Sequence, residues 1–319
     1  MRIAGLFLAL ALVPDAAYRS PHAPREDHHA ERDDYDGSDE PAKSLPVSVE
    51  RGIVYSKADE KLLLDIASPS EGGPYPAVVL LHGGAWSLGS RTELSKGSRG
   101  KDGKPLPSLI ETIAAQGYVA VSASYRLAPK YKFPAQIEDA RTAVRFLRAN
   151  AKKFKLDPEK IGAGGFSAGG HLALLLGTAD KNAFESVEYP EQSSRVQCVV
   201  SYFGPTDLSL YGASEGLEDS YMVPLLGKAC KTDKSLYKKS SPIEYVTKDG
   251  PPVLMIHGTA DFIVPIIHSE NMLKKLQDAG VKAELITVKG AGHGWTGPLA
   301  AKSTQDAIEF LDEHLKGKK

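Results

Sequence analysis

An α/β fold with a mostly parallel sheet is predicted for this 319-residue chain by three features of its sequence. Apolar runs of strand length alternate with runs of helical period. Most of the strand-like runs are continuously apolar, as strands covered by helices on both faces must be. Glycine-rich turns carrying polar residues fall directly after several of them. Strands are centred near Ile53, Leu63, Val79, Val119, Ile161, Val199, Leu254 and Leu285, which makes an eight-stranded sheet, and helices near Ile113, Val144, Leu174, Leu273 and Ile308.

Taken in order, the first two strands have no helix between them, which predicts an antiparallel start. Ala77-Val78-Val79-Leu80-Leu81 has no polar position and reads as a strand buried on both faces. Ile137, Ala140, Val144 and Leu147 recur at helical spacing, so this helix turns a packing face to the core. Lys160 to Gly164 reads as a short buried strand after the loop Leu156-Asp157-Pro158, and Ala168 to Leu176 is a run of helix formers. Pro252 to His257 and Ala283 to Val288 supply the last two strands. Between the strand near Val199 and the one starting at Pro252, residues from about 207 to 242 form the one sizeable insertion, interrupted by Gly212, Gly216, Pro224 and Gly227, and are predicted to make a small cap carrying Tyr211, Tyr221, Met222 and Leu226.

With 42% hydrophobic and 25% charged residues and a formal net charge of -1, the chain has ample core for one catalytic domain over residues 47–319 and no bulk charge suited to nucleic acid. The basic stretch Lys228 to Lys239 reads as a solvated face without the aromatic interleaving that base stacking uses. No Cys or His cluster has metal-ligand spacing, so neither a metal nor another cofactor is expected. Residues 1–17, Met1-Arg2 followed by an apolar run from Ile3 to Val13, read as a signal peptide too short to span a bilayer, which predicts a secreted or periplasmic protein without a stable membrane partner. Residues 18–46, rich in Asp, Glu, Arg, His and Pro, read as a disordered polar leader. Cys198 lies in an apolar run and is expected to be a free buried residue rather than the partner of Cys230.

The residues that carry chemistry lie in the turns. Ser167 stands in Gly165-Phe166-Ser167-Ala168-Gly169, between a strand and a helix, where a sharp turn leaves room only for glycine two residues to either side. It is the candidate nucleophile. A serine hydroxyl needs a base to take its proton and a carboxylate to orient that base. Asp261 follows the strand ending at His257, and His293 lies in Gly290-Ala291-Gly292-His293-Gly294 after the last strand. Asp207, after an earlier strand, is the rival acid; Asp261 is preferred because its strand neighbours the histidine strand. His257 is read as a strand-end packing residue, and His22, His28, His29, His171, His268 and His314 lie in the leader or on helices. His82-Gly83-Gly84-Ala85-Trp86 follows the strand at Val79, and the N-H groups of Gly84 and Ala85, with that of Ala168, are assigned to an oxyanion hole. Trp86 and Trp295 each follow such a turn and are expected to wall the site as substrate-binding residues. Arg126 is expected to pair with a carboxylate of Glu138-Asp139 and to hold the loop beside the oxyanion turn.

These motifs, together with Tyr125-Arg126-Leu127-Ala128-Pro129 and Phe133-Pro134-Ala135, make the chain resemble serine esterases of the α/β-hydrolase superfamily with an HGG oxyanion motif, in the hormone-sensitive-lipase-like and feruloyl-esterase-like group. The resemblance runs over roughly residues 46–319. Many hormone-sensitive-lipase relatives carry a third glycine where this chain has Ala85, and their long N-terminal cap has no counterpart here, which moves the likeness toward the bacterial carbohydrate-ester branch. It implies an α/β-hydrolase fold and hydrolysis of carboxylic esters through an acyl-enzyme, with acetyl or feruloyl esters of carbohydrate as the expected substrates. The alternatives are a small-molecule or lipid esterase, an amide-cleaving peptidase-like or arylformamidase-like enzyme, and a non-catalytic binding protein of the same fold.

Overall fold

A computed structural model describes residues 44–57, 59–100, 103–180, 183–184 and 188–317. The signal-like segment and nearly all of the polar leader lie outside the described residues.

Eight strands form one sheet: β1 (Val47–Ser56), β2 (Leu62–Pro69), β3 (Tyr75–Leu81), β4 (Val119–Ala123), β5 (Leu156–Phe166), β6 (Val199–Tyr202), β7 (Val253–Gly258) and β8 (Ala283–Val288). Their spatial order is β1-β2-β4-β3-β5-β6-β7-β8. β2 pairs antiparallel with both β1 and β4, and every other pairing is parallel. The antiparallel start is therefore where the sequence places it. β5 is longer than predicted: it begins at Leu156 rather than Lys160, because Leu156 pairs with Tyr75 before a register shift brings Ile161 opposite Ala77.

Five longer helices cover the sheet: α1 (Leu109–Ala115), α2 (Ala135–Ala149), α3 (Ala168–Thr178), α4 (Ile267–Asp278) and α5 (Pro298–Leu311). α1 starts in a capping box, Ser108 Oγ accepting from Glu111 N at 3.3 Å while Glu111 Oε2 accepts from Ser108 N at 2.8 Å. Alternation along β3 divides the core. Ala77, Val79 and Leu81 pack with α2, α3 and α4, while Val78 and Leu80 pack with α1 and α5. The predicted stripe of Ile137, Ala140, Val144 and Leu147 is wholly buried. α3 is buried nearly all round, in keeping with its lack of any charged residue over Ala168–Thr178.

The insertion folds as a chain of short helical pieces from Leu208 to Tyr245, including one π-helical turn at Glu218–Met222. Tyr211, Tyr221, Met222 and Leu226 are buried, and rather than making a core of their own they continue the core on the α2, α3 and α4 side of the sheet. Glu218 ties the cap together, its Oε1 accepting from the Tyr237 hydroxyl at 2.7 Å and from Cys230 N at 2.5 Å. Cys198 and Cys230 are both free and buried.

Candidate active site

Parallel strands deliver their following turns to one edge of the sheet, and in open α/β sheets that carboxyl edge is where sites form. β3 and β5 are neighbours in a register that sets Leu81 opposite Gly165. Two residues further on, the Gly83 turn lies alongside Ser167, so that a Cβ at Gly83 would sit 3.6 Å from the Ser167 Cβ. β7 and β8 are likewise paired, Gly258 opposite Val288, and their turns stay joined through Ala260 N donating to Ala291 O at 2.9 Å. Strand pairing therefore brings four turns, distant in sequence, to one place.

Ser167 sits at φ 54° and ψ -118°, a backbone conformation that residues with a Cβ rarely adopt. The turn is tight enough that a Cβ on Gly165 would lie 2.3 Å from Gly169 O, and one on Gly169 would lie 2.0 Å from Leu81 O. The strain is fixed by backbone bonds: Ser167 N donates to Tyr202 O at 2.9 Å, and Ser167 O accepts from His171 N at 3.0 Å.

Ser167 Oγ lies 2.8 Å from His293 Nε2, and His293 Nδ1 lies 2.8 Å from Asp261 Oδ2. With Nδ1-H donating to the carboxylate, Nε2 is left to accept the serine proton. Asp261 Oδ1 accepts from Ile263 N and Val264 N, each at 2.9 Å, which locks the carboxylate in its turn. Burial alone would push the Asp261 carboxyl up, but hydrogen bonds from His257 and His293 outweigh it and hold the group down at about 2. Asp261 is therefore an anion throughout the neutral range. The rival Asp207 is used elsewhere: its Oδ1 accepts from Ser209 N at 2.9 Å and caps the 3₁₀ turn Leu208–Ala213.

Of the turn assigned to the oxyanion hole, Gly83 lies beside Ser167, and Ala168 directly follows the serine. Ala85 and Trp86 both have left-handed backbones, with φ of 50° and 58°. Ala168 is the first residue of α3, where a backbone N-H has no partner within the helix. Behind this turn, the Tyr125 hydroxyl donates to His82 O at 2.9 Å, and the Tyr125 ring stacks on His82 with centroids 4.2 Å apart. Arg126 pairs as its sequence position suggests: its Nε lies 2.9 Å from Asp139, its guanidinium reaches Glu138 at 2.9 Å, and it also contacts Asp59.

One placement differs from the sequence reading. Trp86 does not wall the site: it is only 3% exposed, because its indole turns inward and Nε1-H donates to His171 Nδ1 at 3.2 Å. Trp295 remains half-buried, its Nε1-H donating to Ser303 Oγ at 2.9 Å and its ring meeting Phe203 edge-on at 5.3 Å. Phe203 was not singled out from sequence. It has φ 40°, is buried, and also packs edge-on against His293 at 4.8 Å, so it backs the imidazole. The signal available was its place in Phe203-Gly204-Pro205, directly after β6. His257 is the buried packing residue expected, and it also supports the acid turn, with Nε2 2.8 Å from Val264 O and 3.5 Å from Asp261 Oδ2.

Three further histidines are kept neutral by burial: His82 and His171 are pushed down to about 4, and His268 to about 3. An unfolded histidine titrates near about 6.5. Their folded values are depressed, so the stability they contribute is complete above that value and lost as pH falls through the folded values, because the unfolded chain then binds protons that the folded chain does not. For one such residue the loss is on the order of 3 kcal/mol. Urea midpoints are expected to fall progressively from pH 6.5 to 4; a flat profile across that range would contradict the assignment.

A doubly covered parallel sheet with a serine at a strained strand-helix turn defines an α/β-hydrolase. The chain belongs to the BD-FAE family, whose pattern matches residues 64–276. It is 31% identical over 238 residues to the esterase LipC of Mycobacterium tuberculosis, covering 71% of this chain and 56% of that protein. It is 28% identical over 260 residues to the isoprenylcysteine alpha-carbonyl methylesterase ICME of Arabidopsis thaliana, covering 77% and 56%. The chain thus spans about half the length of these curated relatives. Among solved structures it is similar to a truncated carbohydrate esterase from gut microbiota, with TM-score 0.72 and 28% identity over 86% of this chain and 99% of that one. It is also similar to the thermophilic esterase Est2 of Thermogutta terrifontis, with TM-score 0.67 and 29% identity over 85% and 94%.

Proposed function

We propose that this protein is a serine carboxylesterase acting on short-acyl or compact aromatic esters of carbohydrate, acetyl and feruloyl esters first among them. The observation that carries the proposal is the chain of two 2.8 Å hydrogen bonds from Ser167 through His293 to Asp261 at the mouth of a strained turn.

In this reading Ser167 Oγ attacks the ester carbonyl carbon as His293 Nε2 takes its proton, and Asp261 stabilises the imidazolium that results. The carbonyl oxygen gains negative charge and is met by the N-H groups of Gly84, Ala85 and Ala168. His293 then returns the proton to the departing alkoxide, leaving an acyl-Ser167 ester. Water attacks that ester with the same histidine as base, and the acid leaves with Ser167 restored.

The carbohydrate-ester reading is supported by the likeness to a carbohydrate esterase and by the cap. Tyr211, Tyr221, Met222, Leu225 and Leu226 of the cap are turned inward and Leu210 is exposed, so the described residues of the cap present no long amphipathic stripe of the kind that opens on a lipid surface. Each added acyl methylene gains about 0.8 kcal/mol only while it finds a wall to bury against. For p-nitrophenyl acetate, butyrate, octanoate and palmitate, kcat/KM is expected to peak at acetate or butyrate and to fall by palmitate. Feruloyl esters and acetylated xylan are expected to be cleaved. Activity rising through palmitate with activation at an oil-water interface would make the protein a lipase, and faster cleavage of matched amides would make it an amidase.

A further inference from the structure

The inward turn of Trp86 leaves two buried side chains, an indole and an imidazole, bonded to one another beside the reacting serine and unused in the chemistry above. His171 lies one helical turn beyond Ser167 in α3, and the two are linked through His171 N and Ser167 O at 3.0 Å. Trp86 directly follows Ala85. The two rings meet edge-on, with centroids 5.1 Å apart and planes at 87°. His171 Nδ1 accepts from Trp86 Nε1-H at 3.2 Å, and His171 Nε2-H donates to Ser240 O at 2.7 Å. An acceptor at one nitrogen and a donor at the other require the neutral ring with its proton on Nε2. Burial keeps the ring in that state, pushing its titration down to about 4.

The turn these rings anchor needs anchoring. Ala85 and Trp86 are consecutive left-handed residues, neither of them glycine, a conformation that L-residues avoid and that persists only where the surroundings fix it. Backbone bonds do part of this: Ala128 N donates to Trp86 O at 2.9 Å, and Ser87 N and Leu88 N donate to Gly84 O at 3.0 and 2.9 Å. None of these reaches the helix that begins at Ser167. The indole-imidazole bond does.

We infer that Trp86 and His171 are a positioning pair: their hydrogen bond registers the strained turn, and with it the N-H groups of Gly84 and Ala85, against the helix that carries Ser167. The inference rests on the esterase reading above. Without the bond, the turn is free to relax toward negative φ and swing those donors away from the oxygen. The ester still binds, because the donors act on charge that develops only in the transition state. The loss therefore falls on kcat rather than KM.

The test uses the full chain, p-nitrophenyl acetate and the variants Trp86→Phe, His171→Phe and the two combined, with Ser167→Ala as blank. Each single variant is expected to lower kcat about 10- to 100-fold with KM changed by less than about threefold. The double variant is expected to be no slower than the slower single one, because each removes the same bond. His171→Gln, which keeps an acceptor and a donor, is expected to recover part of the loss. Wild-type kcat in Trp86→Phe, or losses that multiply in the double variant, would overturn the inference. Should His171→Phe not fold, Trp86→Phe decides alone. A wild type no faster than Ser167→Ala removes the esterase reading and this inference together, whereas an active wild type matched by Trp86→Phe removes this inference only.

Discussion

Ser167→Ala is expected to lower kcat for p-nitrophenyl acetate by about five orders of magnitude while leaving the melting temperature within about 2 °C. The change deletes the oxygen that would bond to carbon, and what remains is binding and the oxyanion donors acting on water. It deletes little else. The hydroxyl lies at the half-buried site mouth with His293 Nε2 as its partner, and the bonds that fix the strained turn, Ser167 N to Tyr202 O and His171 N to Ser167 O, belong to the backbone. His293→Ala is expected to cost nearly as much, since the serine proton then has no acceptor. Its effect on stability is also small, because the ring is only partly buried and rests edge-on against Phe203. Steady-state rates with melting curves on the same samples check both. Retention of even a tenth of wild-type kcat by folded Ser167→Ala would mean that another group is the nucleophile.

The second large effect separates the two acids. Asp261→Asn is expected to lower kcat by about 10³- to 10⁴-fold. An amide at this position cannot stabilise the imidazolium as an anion does. It also presents an N-H₂ group, which favours the wrong ring orientation or tautomer of His293. Asp207→Asn is expected to change kcat less than about threefold, because an asparagine oxygen still accepts from Ser209 N and still caps the turn that follows. A larger loss from Asp207→Asn than from Asp261→Asn, with both variants folded, would reverse the acid assignment.

Much of this was legible in the sequence because parallel strands buried on both faces must be continuously apolar, and because a serine held at positive φ needs glycines around it. All eight strand centres fall within observed strands. The Arg126 pairing with Asp139 and Glu138 was legible for a similar reason: a guanidinium at a strand end has few carboxylates within reach. What the sequence concealed was direction. Trp86 has the composition of a pocket wall, yet its positive φ turns the indole inward onto His171, and no local pattern reports the sign of φ at a residue other than glycine. Phe203 was concealed in the same way, by a left-handed φ of 40° after a strand that itself read correctly. The start of β5 at Leu156 was hidden because Asp157 and Pro158 look like a loop, although pairing at Tyr75 extends the strand through them.

The central claim is that His293 and Asp261 activate Ser167 as a nucleophile. Covalent labelling by a fluorophosphonate tests it most directly, because the probe reports the serine that attacks phosphorus and releases fluoride, whatever the natural ester. The expected result is a single adduct per chain, mapped by mass spectrometry to Ser167, absent in Ser167→Ala and formed at least about 100-fold more slowly in His293→Ala. A folded, ester-hydrolysing protein that stays unlabelled at Ser167, or that labels equally fast without His293, would contradict the account.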